Sequence, residues 1–310
     1  MELALILGKQ LLSMFIMIAV GYLLVKIGLL KAEDSRPLSI LIIYVISPCM
    51  IFASFQQKFR PEILQGLLMC TICAAAIHLL FYLVGHGLKK PLGLNTVDRA
   101  SIMYVNAGNL IIPLVAASLG DEWVVYTTAY VLIFLPLMWG HGYSILSGQN
   151  SVKIGKVLTN PNIIGIALGL LFFVLGWRLP EVLGNTVNSF GGLIAPINML
   201  MLGVMMAGAD MKKLFSIKRA YVVCFIRLIL CPVLAILLIK VTGFANLFPD
   251  GKSVLLVSVL AASAPSGSNV VQVAQLFDRD ADYAATINIL TCLFCAVTIP
   301  LMTWFYQWIV

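Results

Sequence analysis

The chain alternates between long apolar stretches and short polar segments that hold most of its charged residues. Each apolar stretch contains about 17 to 25 residues, the length that an α-helix needs to cross the hydrocarbon core of a bilayer. The first stretch has no basic segment before it and no clear cleavage site, so it is predicted to be a transmembrane helix and not a signal peptide. The pattern predicts ten membrane-spanning helices, numbered in chain order, at residues 3–27, 37–55, 63–87, 99–118, 122–146, 161–177, 188–208, 219–241, 253–277 and 283–308.

Composition supports these helices and excludes a soluble fold. Of the 310 residues, 61% are hydrophobic and 11% are charged, whereas a soluble domain carries about 25% charged residues. A soluble fold of this size could not bury so much apolar surface, so the predicted fold class is an all-α polytopic membrane protein. The net charge is +7, but the basic residues lie between the apolar spans and form no single patch, which argues against binding of nucleic acid.

Positive charge predicts the orientation in the membrane. With the N-terminus outside, thirteen of the 20 Lys and Arg residues fall in cytoplasmic segments, six fall in outside segments, and Arg227 falls inside a span. Basic residues favour the cytoplasmic side of a membrane. We therefore expect a multi-pass protein of the cell (plasma) membrane with both termini outside, because ten spans return the chain to its starting side.

A weak internal repeat relates the two halves of the chain. The segment "GYLLVKIGLLKAEDSRPLSILIIYVISP" aligns with "GLLFFVLGWRLPEVLGNTVNSFGGLIAP" at one offset of 148, which pairs Gly21 with Gly169 and Pro48 with Pro196. An odd number of spans in each half turns the second half upside down, a recurrent plan of secondary transporters. The predicted units are a first five-helix repeat, a short cytoplasmic linker and a second, inverted five-helix repeat, at residues 1–148, 149–160 and 161–310.

Polar and helix-breaking residues interrupt two spans at corresponding places in the two halves. Span four contains "NAGNLIIP" and span nine contains "SAPSGSNVVQ". Unpaired backbone in hydrocarbon costs several kcal/mol per group, so a broken helix must line a cavity or pack on protein. If the two unwound points cross, two half-helix N-termini meet near the bilayer midplane, and their free N–H groups form an anion site that suits a carboxylate. The predicted substrate-binding residues are Asn106, Asn109, Pro113, Pro265, Ser268, Asn269, Gln272 and Arg227.

The sequence leaves alternative roles open for these and nearby polar residues. Proline kinks are common in membrane helices and asparagine can bridge neighbouring helices, although two breaks at matching places favour a transport site. Arg227 could bind a second carboxylate, extend to the inner interface or pair with Asp210. His78 in span three is more often a bridge between helices than a proton carrier. The seven cysteines all lie in apolar spans, so we interpret them as apolar packing residues and expect neither a metal nor a cofactor.

The motifs resemble those of the auxin efflux carrier family, the PIN-type transporters and their bacterial relatives. The resemblance rests on "NAGNLIIP" and "APSGSNVVQVAQLF", with support from "PCMIF", "APINMLMLG" and "RLILCP", and it covers essentially the whole chain. It implies crossed, broken helices four and nine within two inverted five-helix repeats. It also implies a transport bundle that moves like an elevator against a scaffold of spans one, two, six and seven. Plant members carry an acid and a base near the site in the region of helix three, whereas span three of this chain offers His78 and no acid within the membrane.

The residues therefore predict a secondary transporter of small organic anions, and the resemblance implies carboxylates such as malate, malonate or auxin-like acids as its substrates. It does not predict an enzyme, because no acid–base or metal constellation stands out. The coupling ion is H⁺ or Na⁺, or the carrier is a uniporter driven by the membrane potential. The resemblance adds a homodimer formed through the scaffold as an expectation. The alternative is a non-transporting membrane sensor that binds the same class of anion and signals through a partner.

Overall fold

The computed structural model describes residues 2–148, 155, 158–209, 211–248 and 250–310, with backbone but no side-chain description for residues 2–4, 109 and 211–213. Most of the predicted linker and Asp210, one predicted partner of Arg227, lie outside the described residues. Within the described part the chain is helical apart from short connections and one isolated antiparallel bridge. The all-helical fold class is thus confirmed.

In the first half of the chain, long apolar helices contain or adjoin π-helical turns. These turns interrupt the regular α-helical hydrogen bonding locally and lie at Ile42–Ile46, Ala107–Ile111 and Met138–Gly142. The α-helices are α1 (Glu2–Lys26), α2 (Ser35–Leu41), α3 (Ser47–Ser54), α4 (Pro61–Gly87), α5 (Thr96–Met103), α6 (Ile112–Leu119), α7 (Val124–Leu137) and α8 (Tyr143–Ser147).

The second half repeats this alternation, with a π-helical turn at Ile226–Leu230. Glycines in the left-handed conformation end two of its described helices, at Gly176 and Gly243. The α-helices are α9 (Pro161–Leu175), α10 (Glu181–Gly192), α11 (Ile194–Ala207), α12 (Met211–Ser216), α13 (Lys218–Phe225), α14 (Cys231–Thr242), α15 (Gly251–Ala262), α16 (Ser268–Leu276) and α17 (Ala281–Ile309).

Seven segments of the described chain are long and apolar enough to cross a membrane. They are Leu5–Lys26, Ala32–Ser54, Pro61–Gly87, Asp121–Ser147, Glu181–Ala207, Lys218–Thr242 and Ala281–Ile309. The other three predicted spans correspond to the shorter helix α9 and to two segments that are each divided, α5 with α6 and α15 with α16. Division leaves half-helices of 8 to 12 residues, too short to cross a bilayer alone. The ten-span arrangement of two inverted repeats stays a prediction.

The helices pack as two groups. In the first group, α1 packs along α11, and α3 packs on α9 and α10. In the second group, α4 packs on α7 and α15, and α17 packs on α13, α15 and α16. The groups touch where α1 meets α6 and α17. The first group therefore contains the predicted spans one, two, six and seven, and the second contains the other six.

Glycines set the close approach of α1 and α11. A Cβ atom on Gly21 would lie 2.2 Å from the Leu200 carbonyl oxygen, and one on Gly203 would lie 2.0 Å from the Ile18 carbonyl oxygen. Small residues let membrane helices approach backbone to backbone, and close packing matters because lipid supplies no hydrophobic force between helices. Steric fit thus holds the first group together at this contact.

Candidate functional site

Span four is interrupted between its two short helices. α5 ends at Met103, the chain from Tyr104 to Asn106 is not α-helical, and α6 follows only after the π-helical turn at Ala107–Ile111. Pro113 follows directly after this π-helical turn and Ile112, and it has no N–H to donate to the preceding turn. The local sequence therefore ends one helix and starts another within a single span.

Span nine is interrupted in the same way. α15 ends at Ala262, the residues from Ser263 to Gly267 are non-helical, and α16 begins at Ser268. Pro265 lies inside this stretch and has no N–H to donate to a helical ladder. The interruption consequently leaves backbone groups that need partners from elsewhere.

The two interruptions lie side by side and pair through their backbones. The Asn106 N–H donates to the Pro265 carbonyl oxygen, and the Gly267 N–H donates to the Tyr104 carbonyl oxygen, each over 2.9 Å. Glycine is suited to this contact because a Cβ atom on Gly267 would lie only 3.0 Å from the Val105 carbonyl oxygen. The pairing satisfies polar backbone groups that lipid could not.

Polar side chains of α17 support the paired break, which we define as residues 104–106 and 263–267. The Asn288 amide donates to the Ser266 carbonyl oxygen (2.6 Å), and the Ser266 N–H donates to the Thr291 hydroxyl (3.1 Å). All three side chains are buried, where an unpaired polar group is costly. The sequence analysis missed Asn288 and Thr291, although two polar residues three positions apart in an apolar span mark one face of a helix.

The structure brings most of the predicted site residues to the paired break. Asn106, Pro113, Pro265 and Ser268 are buried, and Asn269 is half-buried in the first turn of α16. The side-chain Nδ2 of Asn106 is buried and has no hydrogen-bond partner in the described part of the chain. A buried amide without a partner is unusual in a folded protein, and it gives the site a donor that a ligand can use.

Of the other predicted residues, Gln272 lies away from the cavity, and Asn109 is described only by its backbone. The side chain of Gln272 is exposed, and the cavity beside α16 is lined by Val271 and Gln275 instead. For Asn109 the backbone lies in the π-helical turn, and its side chain is outside the described part. The one-turn spacing from Asn269 to Gln272 thus does not bring the second side chain to the cavity.

Four half-helix ends meet at the paired break. α6, with its π-helical turn, and α16 begin there, and α5 and α15 end there. First-turn N–H groups have no partner within their helix and carry partial positive charge, whereas last-turn carbonyl groups carry partial negative charge. Donors and acceptors of the backbone are thus available at one place.

Arg227 lies at the C-terminal ends of α5 and α15, which carry negative partial charge. Its Nε donates to the Ala264 carbonyl oxygen (3.0 Å), Nη2 to that of Ala262 (2.6 Å) and Nη1 to that of Ile102 (3.4 Å). The guanidinium also lies over the Phe81 ring, 4.8 Å from its centroid, which adds a cation–π contact. The side chain is fully buried, so it does not extend to the inner interface.

A cavity of about 600 Å³ opens between the two helix groups. Its lining includes the buried Asn288, which supports the paired break, and the buried Val271 of α16. It also includes the more exposed Ser35, Gly208 and Asp282, which we define as its rim. Most of its wall is apolar, with side chains of α1 and α11 facing those of α17. A ligand in the cavity would therefore contact Val271 and Asn288, the latter of which bonds to the paired break.

A buried acid fixes the ends of three spans near the cavity rim. Asp98 forms an ion pair with Arg219 at the start of α13 and accepts a hydrogen bond from the Tyr283 hydroxyl (2.8 Å). Its carboxylate also accepts from the Asn95 N–H in a capping box that starts α5. The sequence analysis counted Arg219 only among the charges that orient the chain in the membrane. Its partner Asp98 lies 121 positions away, so no local pattern links the two.

His78 is buried in α4 next to aromatic residues. Its Nδ1 lies 2.8 Å from the Ala74 carbonyl oxygen, one turn earlier in the same helix, and its ring is 4.5 Å from that of Tyr130. The carbonyl can only accept, so Nδ1 carries a proton. His78 therefore bonds within its own helix instead of bridging two helices through Nδ1.

No group of three or more His, Cys, Asp and Glu residues in the described chain is arranged to hold a metal ion, and all seven cysteines are free. The geometry that stands out is the paired break with its helix ends, buried polar groups and adjacent cavity. Such non-helical backbone at membrane depth is tolerated where it lines a cavity or is buried in protein.

Comparison with known proteins gives the family. The model of the family described as "Membrane transport protein" matches residues 6–154 and 149–303. The chain is 26% identical over 303 residues to an uncharacterized transporter of Methanothermobacter thermautotrophicus and 24% identical over 312 residues to an uncharacterized transporter of Methanocaldococcus jannaschii. Each alignment covers 94% of this chain and 96% of the relative. The chain therefore belongs to the membrane transport protein family, which includes the auxin efflux carriers, and is a multi-pass membrane transporter and not an enzyme.

Proposed function

We propose that this transporter carries small organic anions, carboxylates such as malate, malonate or auxin-like acids, by secondary transport with alternating access of the elevator type. The substrate binds at the crossover of spans four and nine. The observation that carries this proposal is the paired break, where two half-helices begin beside the buried Nδ2 of Asn106, which has no hydrogen-bond partner among the described residues. Helix N-termini and side-chain amides carry no formal charge, and their N–H groups can bind a carboxylate.

The two helix groups supply the parts of an elevator. Spans one, two, six and seven form the scaffold, and the other six spans carry the site. With both termini outside, the rim of the cavity at Ser35, Gly208 and Asp282 faces the cytoplasm. On the opposite side Gln10 donates to the Ala117 carbonyl oxygen (2.9 Å) and Gln57 to that of Glu122 (3.4 Å), which joins the two groups. This arrangement is an inward-facing state.

The inverted repeat accounts for a matching pair of helix contacts. A Cβ atom on Gly21 of span one would meet Leu200 of span seven, and one on Gly169 of span six would meet the Phe55 ring of span two at 2.5 Å. The offset of 148 maps Gly21 onto Gly169, span one onto span six and span two onto span seven, so the two contacts join corresponding pairs of spans. The matches to the family model also meet at residues 149–154, inside the predicted linker.

The exposed face of α10 supports a homodimer through the scaffold. Gly191 is the buried residue of this helix, while Asn185, Asn188 and Phe190 are exposed. A side-chain amide facing lipid within a span is unfavourable, and a second copy of the chain would cover it. Chemical crosslinking in native membranes tests this assembly.

Reconstituted liposomes test the function. We expect saturable counterflow of at least one acid among malate, malonate, monomethyl malonate and indole-3-acetate, and none of the corresponding amides. Asn269→Ala should lower the flux at least tenfold per folded molecule, because Asn269 lies in the first turn of α16. Asn246→Ala is the matched control, since Asn246 is exposed in a short connecting helix.

The same preparation separates a carrier from a sensor. A ligand that raises the thermal stability of the protein binds to its folded state. Binding of an acid without flux would favour the sensor and contradict transport. Equal flux of an acid and its amide would contradict the anion site.

A further inference from the structure

We propose that Arg227 gives the empty carrier a net positive charge, which a bound monocarboxylate neutralises. The membrane potential then acts on the return of the empty carrier and not on the passage of the loaded carrier. This inference rests on the proposed function. It assigns Arg227 a positioning role at the paired break and a second role as the charge that senses the potential.

The first step concerns the charge of Arg227. A guanidinium stays protonated in proteins, and Arg227 is fully buried. Its donors contact carbonyl oxygens of Ala262, Ala264 and Ile102. Among the side chains that the structure describes, the ion pair that forms is Asp98 with Arg219, and no carboxylate pairs with Arg227. The guanidinium is thus compensated by backbone dipoles and keeps its formal charge.

The second step concerns what moves with Arg227. Its carbonyl partners lie in spans four and nine, its aromatic partner Phe81 lies in span three, and Arg227 itself lies in span eight. All four spans belong to the second helix group. An elevator motion of this group therefore carries the guanidinium through the membrane field together with the substrate site.

The third step is a charge sum at the paired break. Two helix C-termini bring about −0.5 each, two helix N-termini bring about +0.5 each, and these four terms cancel. Arg227 then leaves a net charge of about +1 on the empty site. Because the guanidinium lies at the C-terminal ends, the N-terminal ends stay available to the ligand. One carboxylate brings the loaded site to about zero.

This sum assigns the voltage-dependent step. The loaded carrier moves no net charge, whereas the empty carrier moves about one positive charge. A single charge that crosses the whole field changes the distribution between the two sides by about 50-fold per 100 mV. For an energy barrier half-way across the membrane field, the rate at which the empty carrier returns changes by about sevenfold per 100 mV. A negative cytoplasm therefore draws the empty site inward, which favours export.

The test compares two transport modes in the same liposomes, with indole-3-acetate or monomethyl malonate as a monovalent probe. In exchange, both sides hold saturating probe and the carrier crosses loaded in both directions. In net efflux, the outside holds no probe and the carrier returns empty. Potassium gradients with valinomycin set the potential. We expect net efflux to rise by about sevenfold when the lumen becomes 100 mV more negative, and exchange to stay unchanged.

Exchange that responds to the potential as strongly as net efflux would overturn the inference and leave the proposed function standing. Absence of flux in both modes, with every acid tested, would instead contradict the proposed function. The wild-type comparison decides between these outcomes without any variant.

Variants sharpen the test. Arg227→Gln should make net efflux insensitive to the potential and exchange sensitive, because the loaded carrier would then carry one negative charge. Arg227→Lys should keep the wild-type voltage pattern at a lower rate. Lys240→Gln removes a charge from the exposed outer end of the same span and should change neither mode. An Arg227→Gln protein that folds and keeps the wild-type voltage pattern would overturn the inference.

Discussion

Two helix contacts of this transporter use glycine in different ways. Between α1 and α11, Gly21 and Gly203 let two intact helices touch along an apolar contact. At the paired break, Gly267 lets two interrupted helices exchange backbone hydrogen bonds. The first contact leaves the backbone hydrogen bonds of both helices intact, whereas the second joins broken backbone beside the Asn106 Nδ2, which has no hydrogen-bond partner in the described chain. The comparison teaches that intact helices can approach closely through steric fit alone, whereas broken helices that approach closely must also satisfy their free backbone groups.

The largest effect is expected from a substitution that disrupts the contact between α1 and α11. Gly203→Leu places a side chain where a Cβ atom would already be 2.0 Å from the Ile18 carbonyl oxygen, so the backbones must separate. We expect a loss of more than about 3 kcal/mol in the free energy of unfolding, or no folded protein. Gly8→Ala is the control on α1, because no atom lies within 4 Å of that Cβ position. Equal stability of both variants by thermal melting would contradict the tight packing.

The next largest effect is expected from the loss of a hydrogen bond between α17 and the paired break. Thr291→Val removes the hydroxyl that accepts the Ser266 N–H and should lower the free energy of unfolding by about 2 kcal/mol, since a buried donor loses its partner. Thr298→Val on the same helix removes a hydroxyl that has no hydrogen-bond partner in the described chain, and we expect a change below about 0.5 kcal/mol. Thermal or denaturant unfolding of both variants in detergent checks the difference.

A smaller effect separates stability from transport. Asn106→Ala removes an amide nitrogen that has no partner in the described chain, so stability should change by less than about 1 kcal/mol. Transport should fall about tenfold, equivalent to about 1.4 kcal/mol of lost interaction, because the substrate loses a donor. Liposome flux and thermal melting of the same preparation give both numbers. A parallel loss of stability and flux would make Asn106 a packing residue.

The smallest effect concerns the contact between the two groups on the side opposite the cavity. Gln10→Ala removes the hydrogen bond to the Ala117 carbonyl oxygen, which is worth about 1 kcal/mol. The equilibrium constant that favours the inward-facing state should then fall by about fivefold. Labelling of Cys292, which lines the cavity, reports this shift as a slower reaction with a small thiol reagent. A faster reaction would contradict the assignment of Gln10 to the closed side.

Much of the helical fold follows from local sequence. The apolar stretches mark the helices because only a helix of about 20 residues satisfies its backbone across a bilayer. The interruptions in spans four and nine also follow locally, since Pro265 lacks an N–H and Gly267 tolerates close approach. Asn106 and Ser268 could be named in advance because a polar residue in such a place is expensive.

Several parts of the site did not follow from the sequence. Asn288 and Thr291 are supporting residues whose partner lies more than 20 positions away, and nothing local links them to the paired break. Gln272 is the reverse case, because a local pattern was followed too far. Its spacing from Asn269 suggested that both side chains face the cavity, but the Gln272 side chain is exposed and does not line it. Arg227 was recognised as expensive, but its carbonyl partners in spans four and nine depend on how three spans meet.

The sequence by itself determined where helices form and where two of them break, because hydrogen-bond satisfaction in lipid and the geometry of proline and glycine act within a few residues. Only the tertiary structure decided that the two breaks pair with each other, that Arg227 lies at the carbonyl ends, and that a cavity reaches Asn288. Those features join residues more than 30 positions apart, and their energies depend on distances that packing alone sets.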